Sequence, residues 1–250
     1  MDNNNNYNWV QKPVYVEDQT GLVAKKFFAN VFLWMFIALG LSTLSAYVMA
    51  SNDALFSILR NPETLKPTIL GYVAMFAPLG LVILMSAGIS RLSYGALLAT
   101  FVAYSALTGL SLSFILLAYT STSVITCFGA AAGIFGIMAF LGYTTDVDLS
   151  KFGPILMVGV VGLVIASVIN MFIQSENFSL FMAFIGIAIF TALTAYDVQK
   201  LKRIGAGLEE SGAQIQDADT KKLAIMGALS LYLDFLNIFL FLLRIFGDRR

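Results

Sequence analysis

Histidine is absent from the 250-residue sequence, which excludes a Ser-His-Asp triad, a His-ligated zinc or iron site and an imidazole pH switch. One cysteine, Cys127, can close neither an internal disulfide nor a thiolate metal cage. Charge is also scarce. Charged residues make up 12% of the chain, against about 25% in an ordinary globular protein. Fifteen Lys and Arg balance 15 Asp and Glu, so no net basic field is present to hold nucleic acid by its phosphates. Proton chemistry therefore falls to carboxylates, with Lys, Arg and Tyr as helpers. What the chain has in excess is apolar surface: 58% of residues are hydrophobic, above the usual roughly 45–50%. A water-soluble fold of this size needs more charge to cover it, so lipid is the expected solvent.

Residues 1–26 are polar, open with the run Asn3 to Asn6 and offer no apolar face; they read as a disordered tail. The first apolar stretch begins too late and runs too long for a cleavable signal. A spanning helix needs about 20 mostly apolar residues, and seven such stretches can be drawn: 27–50, 68–90, 93–118, 123–143, 152–174, 178–203 and 222–246. The expected organisation is a seven-helix transmembrane domain over 27–247 with a short tail, 248–250. With the amino terminus cytoplasmic, that side carries Lys12, Lys25, Lys26, Arg91, Lys151, Lys200, Lys202, Arg203, Lys221 and Lys222. The other side keeps Arg60, Lys66, Arg244, Arg249 and Arg250. The imbalance favours that orientation.

The segment from Ile204 to Thr220 is the longest polar connection and holds Glu209, Glu210, Asp217 and Asp219. It reads as a solvated linker, since a calcium loop would need oxygens at alternate positions, a central Gly and a closing bidentate Glu.

Two acids lie inside apolar spans, Asp197 and Asp234. An aspartate at the centre of a membrane helix costs about 2.5–3.5 kcal/mol on insertion scales and usually faces a bundle interior or a water-filled cavity. Asp234 follows Lys222 by enough residues to lie roughly 18 Å into its span, and Asp197 precedes Arg203 by about 9 Å, at the helical rise. Consecutive spans joined by a short loop are expected to be antiparallel neighbours. If the two carboxyls meet in a low-dielectric site, like charges make them share one proton and titrate as a unit. Asn237, three residues beyond Asp234, lies on the same helix face and could donate or accept there. The plainer reading stays open for both: Asp197 as an interfacial acid paired with Lys200, Lys202 or Arg203, and Asp234 as interhelical glue bonded to a Ser or Tyr.

Arg91, between the second and third spans, is either a loop arginine serving topology or a cation for one of the carboxylates. Tyr104, Thr108 and Ser111 fall near one face of the third span, as a polar path or as close-packing groups. The run Gly129-Ala-Ala-Ala-Gly133, followed by Gly136, is expected to admit a close helix neighbour. Asn170, deep in the fifth span, needs a partner.

The stretch Ala228-Leu-Ser-Leu-Tyr-Leu-Asp-Phe-Leu-Asn-Ile-Phe-Leu-Phe-Leu-Leu-Arg-Ile-Phe-Gly247 resembles the last helix of the transmembrane Bax inhibitor motif family, whose bacterial members are the Bax inhibitor or YccA-like proteins. Tyr196-Asp197, followed by Gln199-Lys200-Leu-Lys202, is similar to that family's sixth-span motif, and Thr145-Asp-Val-Asp148-Leu-Ser150 resembles its segment after the fourth span. The resemblance covers about 27–247. It implies an all-α polytopic membrane protein of seven transmembrane helices, two three-helix layers around a central carboxyl-terminal helix. It further implies a pH-sensitive calcium leak controlled by two aspartates, which fall here on Asp197 and Asp234 as pH sensor, gate and calcium ligands. The family's arginine near the end of the second helix falls on Arg91, with Ser93-Tyr-Gly95 and Thr108-Gly109-Leu-Ser111 as anchors. Tyr196 and Tyr232, beside the acids in these motifs, join Asn237 as supporting polar candidates. The second span contains no acid, so a pathway carboxylate there is missing.

The expectation is therefore a multi-pass protein of a bacterial inner membrane that handles calcium and protons, with no resident cofactor and no enzymatic activity. A rival reading is a membrane-embedded regulator that binds a membrane protease or another membrane protein, suggested by the polar amino-terminal tail. An intramembrane hydrolase using the two acids lacks any motif beyond the acids themselves.

Overall fold

The computed structural model describes residues 21–64 and 66–250. The expected polar tail over 1–26 lies outside the described residues as far as residue 20; from Leu22 the chain is already helical. The helices are α1 (Leu22–Ala50), α2 (Asp53–Leu59), α3 (Ile69–Gly88), α4 (Tyr94–Ala118), α5 (Ser121–Thr144), α6 (Gly153–Ile173), α7 (Glu176–Glu210) and α8 (Ala218–Phe246), with a 3₁₀ turn, Leu149–Phe152, ahead of α6. All but α2 are long and apolar enough to cross a membrane, which makes seven candidate spans among the described residues.

Their starts follow from capping chemistry. A side-chain oxygen one residue ahead of the helix takes an N–H left without an intrahelical acceptor. Thr68 does so for α3, Ser93 for α4, Thr120 for α5 and Ser175 for α7. The start of α1 has no such residue and borrows one from a distance: the Glu209 carboxylate accepts from the amides of Gly21 and Ala24.

That contact corrects the expected linker over 204–220. Helix α7 continues to Glu210, leaving only residues 211–217 as connection. The extra turns hold because Ile204 and Leu208 pack on the core and Gly205 lets the backbone of α1 at Ala24 come close. A carboxylate at a helix amino terminus also meets the positive end of the helix dipole.

In the most apolar window of α8, 67% of residues are buried, against 17% for α3 and 11% for the α6 span. Helix α8 packs against α1, α4, α5 and α7. Around it, α4 leans on both α1 and α3, and α7 on both α5 and α6. Two glycines bring helices to backbone contact: a Cβ on Gly109 of α4 would lie 2.4 Å from the Ser42 carbonyl oxygen of α1, and one on Gly142 of α5 would lie 2.3 Å from the Ala195 carbonyl oxygen of α7.

The small-residue run in α5 is not such a contact. Gly129, Gly133 and Gly136 have open space where a Cβ would project, because α5 turns Cys127, Ala131, Phe135 and Gly142 inward instead. Phe128 and Phe135 stack edge-on against Phe235 of α8, and large rings dominate interior packing energetics.

Candidate functional site

Asp197 lies thirteen residues before the end of α7 and Asp234 sixteen residues after the start of α8. At about 1.5 Å per residue, the two stand at similar depths, roughly 20 and 24 Å from the loop that joins these antiparallel, mutually packed helices. No hydrogen bond joins the two carboxyls among the described residues, and Asp197 reaches Asp234 only as a longer-range charge. Asp234 is 4% exposed, and its Oδ2 is buried without a hydrogen-bond partner. Such an orphaned oxygen is uncommon, because a buried polar group without a partner forfeits its desolvation energy.

The hydrogen bonds and ion pairs among the described residues do not include the partners of the plainer readings. No Ser or Tyr hydrogen-bonds to Asp234 among the described residues, and the basic residues near Asp197 are engaged elsewhere. Lys202 donates to the Tyr143 carbonyl at 2.8 Å, Arg203 pairs with Asp148, and Lys200 reaches Asp197 only as a longer-range charge. The buried acid and the half-buried one thus stand at similar depth on two packed helices, and among the described residues no cation is bonded to either.

The other candidates stand apart from it. Asn237 turns its amide to the Leu233 carbonyl of its own helix at 2.8 Å and faces a cavity shared with α6 and α7. That bond occupies one of its donors, and among the described residues no hydrogen bond joins Asn237 to Asp234. Tyr232 is fully buried and points to α1 and α4: its hydroxyl meets Ser42 Oγ at 2.7 Å, and its ring stands edge-on to Tyr104 at 5.4 Å. Tyr196 packs on Gly153 at the start of α6. Arg91 is exposed in the turn after α3, and the ion pairs among the described residues do not include it.

The third-span hydroxyls are consumed by carbonyls: Thr108 donates to Tyr104 at 2.8 Å, and Ser111 reaches Ala74 on α3 at 2.6 Å. Asn170 finds its partner in the Ser175 amide, 3.2 Å away.

A second polar cluster closes the same end of α7. Gln199 is buried and clamps the α5–α6 segment twice, accepting from the Leu149 amide and donating to the Val147 carbonyl, each at 2.8 Å. Arg203 reaches Gln199 Oε1 at 2.9 Å, Ser150 Oγ at 3.0 Å and Asp148 Oδ1 at 2.5 Å. The Ser150 hydroxyl also donates to Asp148. These bonds, that of Ser150 first and that of Arg203 next, hold the Asp148 carboxyl well below the usual carboxylate range. Arg203 had stood out in the sequence only as a topology charge or a partner for Asp197. The signal that could have found the cluster is the Asp148-Leu-Ser150 turn motif, whose side chains favour exactly such local backbone bonds.

No group of three or more metal-ligating side chains occurs among the described residues. Comparison with known proteins adds context. The model of a family described as inhibitor of apoptosis-promoting Bax1 matches residues 24–250. The inner membrane protein YbhL of Escherichia coli strain K12 is 42% identical over 238 residues, covering 94% of this chain and 96% of its own. An uncharacterized protein of Borreliella burgdorferi is 39% identical, over 94% of this chain and 97% of its own. An uncharacterized membrane protein of Streptococcus pyogenes serotype M6 is 37% identical, over 94% and 96%.

Proposed function

The chain belongs to the family of the inhibitor of apoptosis-promoting Bax1, and we propose that it is a multi-pass inner-membrane protein that passes calcium passively, its leak gated by protons on Asp197 and Asp234. The observation that supports this reading is the Asp234 carboxyl, buried with an unpaired oxygen and without a bonded cation among the described residues, on a helix packed against the one that carries Asp197 at similar depth. Two carboxyls in that setting hold a proton between them when no cation is present. A divalent cation can take the proton's place.

Calcium binds six to eight oxygens, carboxylates especially. Two aspartates supply at most four, so the pair suits an ion in transit and not a resident one. Competition between protons and calcium for one pair makes the flux pH-sensitive without histidine.

In this reading α1, α3 and α4 form one set of three helices, α5, α6 and α7 the other, and α8 is the plug between them. The amino terminus is cytoplasmic, as the distribution of Lys and Arg favours. Arg91, exposed beyond α3, acts only where α3 shifts inward, and biases that arrangement by pairing with the dyad.

The test is calcium flux into liposomes loaded with a calcium dye, across a pH series. Asp234→Asn and Asp197→Asn each flatten the pH dependence. Wild-type pH dependence in both variants overturns the dyad, and a wild-type chain that carries no calcium at any pH favours the regulatory, partner-binding role.

A further inference from the structure

At the end of the bundle away from the α7–α8 loop, a cavity of about 610 Å³ opens between the carboxyl end of α6, the amino end of α7 and the end of α8. Its lining includes Arg244, Arg249, Ser175, Glu176 and Ser179. Ser179 is 5% exposed, and its hydroxyl has no hydrogen-bond partner although it lines the cavity. A buried, unpaired hydroxyl calls for a partner that the chain itself does not supply.

The surrounding groups define what that partner is. Helix α7 begins here, and of its first amides only that of Phe178 is taken by the cap, Ser175 Oγ at 3.3 Å. Those of Glu176 and Asn177 have no partner among the described residues. The start of a 35-residue helix carries the positive end of its dipole and is suited to an anion. Arg244 is exposed and enters no ion pair among the described residues.

Arg249 is held in place by the backbone. Residues 248–250 pair with the α4–α5 turn, through Thr120 N to Asp248 O and Arg250 N to Ala118 O, each 3.0 Å, and the Arg249 guanidinium lies 5.9 Å from the centre of the Tyr119 ring. Two guanidiniums, free helix amides and a hydroxyl form a donor set for tetrahedral oxyanions. Glu176 is the one acid lining it and opposes an anion there.

We infer that this cavity binds a phosphoryl oxyanion through Arg244, Arg249, the amino terminus of α7 and Ser179. The chemistry is common to a lipid phosphate and to free phosphate, and the cavity lies at the ends of three candidate spans.

The test uses the full chain, purified in detergent and depleted of lipid, with thermal unfolding followed against added inorganic phosphate and, separately, against phosphatidylglycerol, with diacylglycerol, which has no phosphate, as control. At least one of the phosphoryl ligands raises the wild-type Tm saturably. The doubly substituted chain, Arg244→Gln with Arg249→Gln, binds it about tenfold more weakly or worse, and Ser179→Ala loses less. Glu176→Gln binds more tightly, which keeps the site testable if the double variant fails to fold. A response to inorganic phosphate alone identifies a free anion, and one to phosphatidylglycerol alone a headgroup. No wild-type response to either ligand, or a response unchanged by both the arginine and the Glu176 substitutions, overturns the site.

Discussion

Asp148 and Asp234 are the same residue in opposite circumstances. Asp148 sits at the surface and is surrounded by donors: Ser150 by amide and hydroxyl, and Arg203 by its guanidinium. Asp234 is buried at the packed centre of the bundle and has an oxygen with no donor at all. The well-partnered acid fastens the α5–α6 segment to α7. The unpartnered acid faces no such fastening, and on the proposed reading it is the one that exchanges a proton or a cation. Charge in itself does not distinguish the two; the number of donors within reach separates a fastened acid from an unpaired one.

The comparison breaks most severely if the buried site is made to resemble the surface one. Asp197→Lys supplies Asp234 with a buried cation, and we expect the pH dependence of calcium flux to disappear across the whole range, read in dye-loaded liposomes. Persistent pH dependence would show that the site does not need two acids. The surface cluster answers to a milder change. Arg203→Gln removes three of its bonds, and amide exchange over residues 145–152 should accelerate several-fold while the pH response of the leak stays as in the wild type.

Protons act on the fastener in a known direction. The folded-state pKa of Asp148 is lowered, so its contribution is complete above the ordinary carboxylate range and is lost as pH falls through the lowered value. Hydrogen exchange of the Ser150 amide, corrected for its intrinsic rate, should therefore rise on acidification below about pH 4, and do so less in Asp148→Asn.

Smaller effects sharpen the same contrast. Tyr232→Phe deletes the bond to Ser42 and should cost about 1 kcal/mol in unfolding without moving the pH midpoint of the leak. Asn237→Ala removes only a bond to its own helix and should cost less than about 1 kcal/mol, again with no change in midpoint.

The seven spans were legible because membrane helices require long apolar runs, and lipid leaves little room for another answer. Counting along such helices places Asp234 deep in its span, but it places Asp197 too near the span's end, because α7 runs on to Glu210. Less could be read where contact decides. The continuation of α7 to Glu210 depends on Glu209 reaching the start of α1, a residue distant in sequence. The run from Gly129 to Gly136 says that a helix could come close, but only the rotation of α5 decides whether one does. Asn237 shares a side of α8 with Asp234 by spacing, yet its rotamer turns to the backbone. The Asp148–Arg203 pair joins a turn to a helix end, a relation that no periodicity encodes.

Gly109 against Ser42 and Gly142 against Ala195 weld α1 to α4 and α5 to α7 at backbone distance. Within each pair no side chain separates the two backbones at that point, so sliding one helix past the other meets backbone at once. The rim differs, since α3 and α6 each lean chiefly on one long helix. Helix α1 also packs on α7, which ties the two pairs to each other as well as to α8.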